Sequence, residues 1–254
     1  MRTVRTIAIL SFREAIRDRI LYTLFFFCLL MMGMSRIIES MVMAQRAQII
    51  KDIGLGAISI IGLSISIIIG VKIFSKELRK FSGYALLSKP VLRGHLLLGK
   101  YMGVLLTLGV ILSLMGSILM LSAAVSEGKF DPYLFVGINS ILLELSVLIA
   151  FTLLFSTFCP PFSSGVLTFV LYALGHLISL LKSTFSIDSS ILSHILNGLF
   201  LLIPDLERFN LKSDIVYHTL PPWQYLMSLI LYGFIYVSVA LFLSWLVIRK
   251  KDMQ

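Results

Sequence analysis

Residues 53–74 read IGLGAISIIGLSISIIIGVKIF, and SKELRK follows at 75–80. A helix needs about 20 mainly apolar residues to cross the hydrocarbon core of a bilayer, and this stretch supplies them with a single internal charge, Lys72. The dense charge behind it marks where such a helix would leave the membrane. Working outward, five more runs of similar length are bounded by charge or proline: Ile20 to Met41, Leu98 to Val125, Tyr133 to Phe158, Gly165 to Leu181 and Trp223 to Ile248. Composition agrees, with 58% hydrophobic against 14% charged residues and a mean hydropathy of +0.97, which excludes a soluble domain. The expected fold is an all-α membrane protein of six transmembrane helices, one domain over residues 1–254. The N-terminus shows no small-residue cleavage site after its first apolar run, so that run is expected to stay as a span.

Orientation follows from the basic residues near the span ends, which are in excess on the cytoplasmic side. Arg2, Arg5, Arg13, Arg17 and Arg19 precede the first span; Lys72, Lys76, Arg79, Lys80, Lys89, Arg93 and Lys100 surround the loop after the second; Arg249, Lys250 and Lys251 follow the last. These fall on one side of a six-span scheme and make up most of the 22 basic residues. The other side gathers acids, among them Glu127, Asp131, Asp188, Asp205, Glu207 and Asp214. Both termini are therefore expected in the cytoplasm, in a multi-pass protein of the cytoplasmic (inner) membrane. The net charge of +9 comes in clusters between uncharged stretches, which speaks against a nucleic-acid partner.

Three elements lie outside the spans. Residues 1–19 form an amphipathic helix in which Val4, Ala8, Phe12, Ala15 and Ile16 share a face, suited to the lipid interface or to a plain positive anchor. The cytosolic stretch 75–97 is longer than a turn requires; 75–80 reads as a helix end leaving the membrane, Gly83 as a break, and Ser88-Lys89-Pro90 as the stop of a second short element. That element suits a partner's groove, with a solvated basic loop as the plainer alternative. The outer segment 183–222 contains an apolar run from Ile191 to Ile203, too short to span, and is expected to be interfacial or re-entrant.

Several features carry less than they suggest. Gly94-His95-Leu96-Leu97-Leu98-Gly99-Lys100 has phosphate-loop spacing, but Tyr101 stands where a Ser or Thr would hold magnesium, no strand precedes it, and a helix would consume its N–H groups. Met31, Met32, Met34, Met41 and Met43 are soft donors suited to Cu(I), yet no His or Cys joins them at ligand spacing, so they read as apolar filler and no metal site is expected. Cys28 and Cys159 define neither a disulfide framework nor a thiolate site. Ser59, Gly62, Ser66 and Gly70 form a small-residue stripe for close helix packing, most simply within the subunit. In the spans, Glu144 is the foremost polar candidate. It is open to a cargo path or proton-linked step, or to a structural role beside Asn139, Ser140 or a neighbouring helix. His176 reads as a lone, packed, neutral histidine. No catalytic constellation is present.

Phe12-Arg13-Glu14-Ala15 with Arg17-Asp18-Arg19 resembles the elbow helix of ABC transporter permease subunits of the type-2 exporter family. Ser75-Lys76-Glu77-Leu78, Leu86-Leu87-Ser88-Lys89-Pro90 and Leu97-Leu98-Gly99-Lys100-Tyr101 resemble that family's stretch after the second span. Ile203-Pro204-Asp205-Leu206 and Arg208-Phe209-Asn210-Leu211 resemble a bacterial subgroup related to the permeases linked with multicopper-enzyme maturation. The resemblance implies a non-enzymatic membrane subunit, paired with a second permease copy and with a separate ABC ATPase subunit that carries the ATP and magnesium. It implies that Ser75, Lys76, Glu77, Arg79, Lys89, Pro90 and Arg93 belong to the coupling surface for that ATPase, with a second contact at Cys159-Pro160-Pro161-Phe162.

Overall fold

The computed structural model describes residues 2–16, 25–33, 46–83, 93–184, 203–217, 219 and 221–250. They form α1 (Arg2–Ile16), α2 (25–33), α3 (Arg46–Gly83), α4 (Arg93–Glu127), α5 (Tyr133–Phe158), α6 (Pro161–Thr184), a 3-10 turn η1 (Leu206–Phe209), α7 (Lys212–Val216) and α8 (Trp223–Lys250). There is no strand among the described residues. Five helices, α3, α4, α5, α6 and α8, are long and apolar enough to cross a membrane, and the chain is a multi-pass membrane protein. Of the expected first span only 25–33 is described. It is helical, with Phe27 and Met31 in the core, and the rest of Ile20 to Met41 lies outside the described residues.

α5 is the axis of the bundle. It packs against α3, α4, α6 and α8, and two thirds of its membrane window is buried, against about a quarter for α6 and α8. The small-residue stripe of α3 serves this packing. A methyl group at Gly62 would strike Leu145, and one at Gly70 would meet Thr152 at 3.0 Å, both on α5. Close backbone approach raises dispersion contact where lipid offers no hydrophobic drive between helices.

The connections are tighter than the spans alone suggest. α4 ends on Gly128, whose φ of +69° is the left-handed terminator that glycine adopts at little cost, with its N–H on Ala124 O at 2.8 Å. Asp131, just before the N-cap Pro132, then takes the Tyr133 N–H at 3.0 Å, which satisfies one of the unpaired donors in the first turn of α5. The expected short loop Cys159-Pro160-Pro161-Phe162 shrinks to Cys159 and Pro160, because Pro161 opens α6. Proline at a first helical position gives up an N–H that has no intrahelical partner anyway, and proline keeps the residue before it extended.

The stretch 75–97 is also more helical than a loop. α3 continues to Gly83, where a break was expected, and α4 begins at Arg93, five residues before the expected Leu98. Only 84–92 falls outside the described residues. Lys100, counted as a flanking charge, is instead buried and donates to Ile73 O of α3 at 3.1 Å. The phosphate-loop look-alike lies wholly inside α4.

α1 lies against the first turns of α4, with Ala8 and Ser11 buried and Val4, Ile7 and Phe12 half-buried. Arg13 stays exposed. Gly99 and Gly103 make the approach possible: a Cβ at Gly99 would stand 2.8 Å from Ile7, and one at Gly103 would stand 2.6 Å from Ser11 Cβ and 2.9 Å from the Ala8 carbonyl oxygen. Gly103→Val is therefore expected to lift α1 from α4 at a cost of about 1–3 kcal/mol, the usual range for overpacking. Thermal melting, with maleimide labelling of a cysteine placed at buried Ser11, reads this out. Gly109→Val, where the added carbon meets nothing within 4 Å, is the control, and equal behaviour of the two variants would refute the packing account.

Candidate functional site

At the end of the bundle opposite α1, η1 and α7 fold back onto the helices. Leu206, Phe209 and Ile215 are fully buried there, seated over α5, α6 and α3. Gly175 of α6 makes this seat, since a Cβ on it would fall 2.7 Å from Leu206 and 2.9 Å from the Pro204 carbonyl oxygen. The strap is held from α8 as well. The Asp205 N–H donates to Tyr232 Oη at 2.8 Å, and Tyr225 Oη donates to Arg208 O at 3.1 Å. The Arg208 guanidinium stands 5.0 Å over the Tyr232 ring and 3.4 Å from Asp205 Oδ2. The apolar run from Ile191 up to residue 202 lies outside the described residues.

This seat brings three titratable side chains into a line. Glu144, on the central helix and only 1% exposed, places Oε1 3.0 Å from His176 Nε2 of α6. His176 Nδ1 lies 2.7 Å from Glu207 Oε2 of η1. Glu207 Oε1 in turn accepts from Asn210 Nδ2 at 2.8 Å, and the Tyr172 ring stands edge-on to the imidazole at 4.6 Å. The Asn210 Oδ1 is buried without a hydrogen-bond partner among the described residues.

An imidazole nitrogen donates when it carries a proton and accepts when it does not, so the tautomer of His176 sets which way each of its two contacts runs. The Glu144 end of the line lies in a poorly solvated interior, where a hydrogen bond is strong and a missing partner is costly, whereas the Glu207 side chain at the other end is 40% exposed. The two carboxylates sit on opposite edges of the ring, so the three groups do not converge on a single metal ion.

His176 is therefore not the lone packed histidine that the sequence suggests. The local partners considered for Glu144 also turn away from it: Asn139 Nδ2 donates to Phe135 O at 2.7 Å and Ser140 Oγ to Gly137 O at 2.9 Å. Short polar side chains in a helix bond back to a carbonyl one turn earlier, which takes them out of lateral contact. The partner came from a helix 32 residues away. Glu207 gave no sequence signal beyond being an acid in the outer segment. A second buried pair was also missed: Lys51 Nζ donates to Asp131 Oδ2 at 2.6 Å, with both side chains almost wholly buried. Its one signal was a charge set among Ile49, Ile50 and Ile53.

The remaining expected site residues do not gather here. Ser75, Lys76, Glu77 and Arg79 lie on the last turns of α3, and Arg93 opens α4. Lys89 and Pro90 are outside the described residues, as is Arg17. Phe12, Arg13 and Glu14 belong to α1. Of the methionines, Met31 packs in the core and Met32 is exposed, while Met34, Met41 and Met43 lie outside the described residues. No protein-family model matches the chain, and no curated protein matches it either.

Proposed function

We propose that this protein is the transmembrane subunit of an ATP-driven ABC transporter, an exporter that couples a separate ATPase subunit to substrate movement across the cytoplasmic membrane. The observation that carries the reading is α3. Its apolar window ends at Phe74, but the helix runs unbroken to Gly83, which at 1.5 Å per residue adds about 13 Å of rigid rod. Ser75, Lys76, Glu77 and Arg79 ride on that extension, the stretch whose sequence resembles the family's coupling region. A push on such a lever moves the whole of α3, and with it α5. The helix α1 packed on α4 fits the same reading, and the basic flanks support cytoplasmic termini. The functional unit is two copies of this chain with two ATPase subunits, and ATP and magnesium sit on the latter.

Mild-detergent purification from native membranes, followed by mass spectrometry, tests this. A stoichiometric ATP-binding subunit is expected, and it is expected to be lost when Glu77→Lys and Arg79→Glu are combined. A protein that purifies alone and still moves solute without ATP would overturn the reading. One observation favours a second one: the Glu144–His176–Glu207 line, which runs from a buried carboxylate to a half-exposed one, suits a proton-coupled secondary transporter, for which a proton gradient alone would drive flux in vesicles.

A further inference from the structure

We propose that the groove between α4 and α8 is a binding site for one acyl chain of an anionic phospholipid, with the lipid headgroup held at Arg249. This inference rests only on the membrane character of the bundle and is independent of the transporter reading. The groove has a volume of about 580 Å³ and is walled by Leu97 and Tyr101 of α4, Leu143 of α5, and Val237, Leu241 and Trp245 of α8. Its lining is almost wholly apolar, and the Tyr101 hydroxyl in its wall donates to Ser146 O within the same lining at 3.4 Å. The lining residues recur along one face of each helix, at Gly94, Leu97, Tyr101 and Leu105 on α4 and from Ile230 to Trp245 on α8. At 1.5 Å per residue they trace a slot of about 20 Å, comparable with the ~15 Å depth of one leaflet's hydrocarbon. An apolar slot of this length, open between two membrane helices among the described residues, matches a single chain lying parallel to them.

Charge selects the lipid class. The slot closes at one end under Trp245, whose ring lies 3.6 Å from where a Cβ on Gly94 would stand. The Arg249 guanidinium sits over that ring, 5.5 Å from its centroid, and Arg249 is exposed. Indole rings settle at the headgroup level, and a cation placed there attracts anionic headgroups. The slot therefore offers a chain-length apolar wall ending in a tryptophan and an arginine, which is the complement of an anionic phospholipid and not of a second protein helix.

The chain holds only two tryptophans, so Trp223→Phe leaves Trp245 as a fluorescent reporter inside the groove. The full chain carrying this change is reconstituted in phosphatidylcholine vesicles containing either phosphatidylglycerol or phosphatidylcholine with brominated acyl chains, which quench indole on contact. Brominated phosphatidylglycerol is expected to quench Trp245 at about fivefold lower mole fraction, the preference one arginine confers near a headgroup. Arg249→Gln should erase the preference, and Ser238→Phe, which fills an exposed wall position, should remove the high-affinity phase altogether. Equal quenching by both lipids that is indifferent to Ser238→Phe means bulk lipid only and overturns the site. Absence of quenching together with disulfide dimers of Ser238→Cys means that a second copy covers the groove, and overturns it equally.

Discussion

His176→Leu is expected to destabilise the protein by about 3–5 kcal/mol, the cost of removing one partner from a buried charged pair. The variant strands Glu144, which is 1% exposed and has no other hydrogen-bond partner among the described residues, and it also removes the hydrogen bond that holds Glu207 to α6. Two consequences follow from one geometry. The melting temperature in detergent should fall on the order of 10 °C, and the strap over 203–217 should lose its tie to α6. A cysteine at Leu206, which is fully buried in the folded chain, reads the second effect through its labelling by a membrane-impermeant maleimide. Glu144→Gln should be much milder, since an amide of the same shape still bonds to an imidazole nitrogen while the charge disappears. Combining it with His176→Leu should recover part of the loss, because contacting residues are not additive. An unchanged melting temperature in His176→Leu would show that the Glu144–His176–Glu207 line contributes nothing to the fold. Full transport by Glu144→Gln at normal expression would show that its charge has no part in function.

Lys51→Met is expected to have a comparable effect by a different route. Lys51 and Asp131 join the start of α3 to the turn before α5 across 80 residues of sequence. Both side chains are nearly inaccessible, at 0% and 4% exposure, so the methionine takes the cation away and leaves the carboxylate in a poorly solvated seat, at a cost of about 3–5 kcal/mol. Asp131 also accepts the Tyr133 N–H in the first turn of α5. The reverse change, Asp131→Leu, should therefore cost more than Lys51→Met by about 1 kcal/mol, the usual net value of a hydrogen bond. Asp131→Asn in the Lys51→Met background keeps an accepting oxygen and removes the buried charge, and it should recover much of the loss. Equal melting of Lys51→Met and the wild type would mean that the pair is solvated in the membrane-embedded protein.

The spans were legible because the signal is local: about twenty apolar residues in a row mean one thing in a protein, whatever packs around them. α5 and α8 begin where the sequence placed them, at Tyr133 and Trp223. The start of α4 was not legible. Arg93 and Lys100 were counted among the flanking charges, but a long lysine stem can lie along apolar surface while its ammonium finds an oxygen, here Ile73 O on the neighbouring helix. The Ser59, Gly62, Ser66 and Gly70 stripe announced close packing, whereas Gly99 and Gly103 are two glycines at the start of an expected span whose neighbour α1 only the tertiary structure supplies.

The sequence by itself determined a multi-pass helical bundle, since hydropathy and helical period are properties of neighbouring residues. It also singled out Glu144, because an ionisable group in an apolar run is anomalous before any partner is known. Only the tertiary structure decided what Glu144 meets. The three members of its hydrogen-bonded line come from three elements, and His176 and Glu207 are 31 residues apart in sequence. Their meeting depends on Gly175 admitting Leu206 to within contact of α6. Nothing in a linear pattern encodes such an approach, because a hydrogen bond is fixed by tenths of an ångström in space, and those are set by how the whole bundle packs.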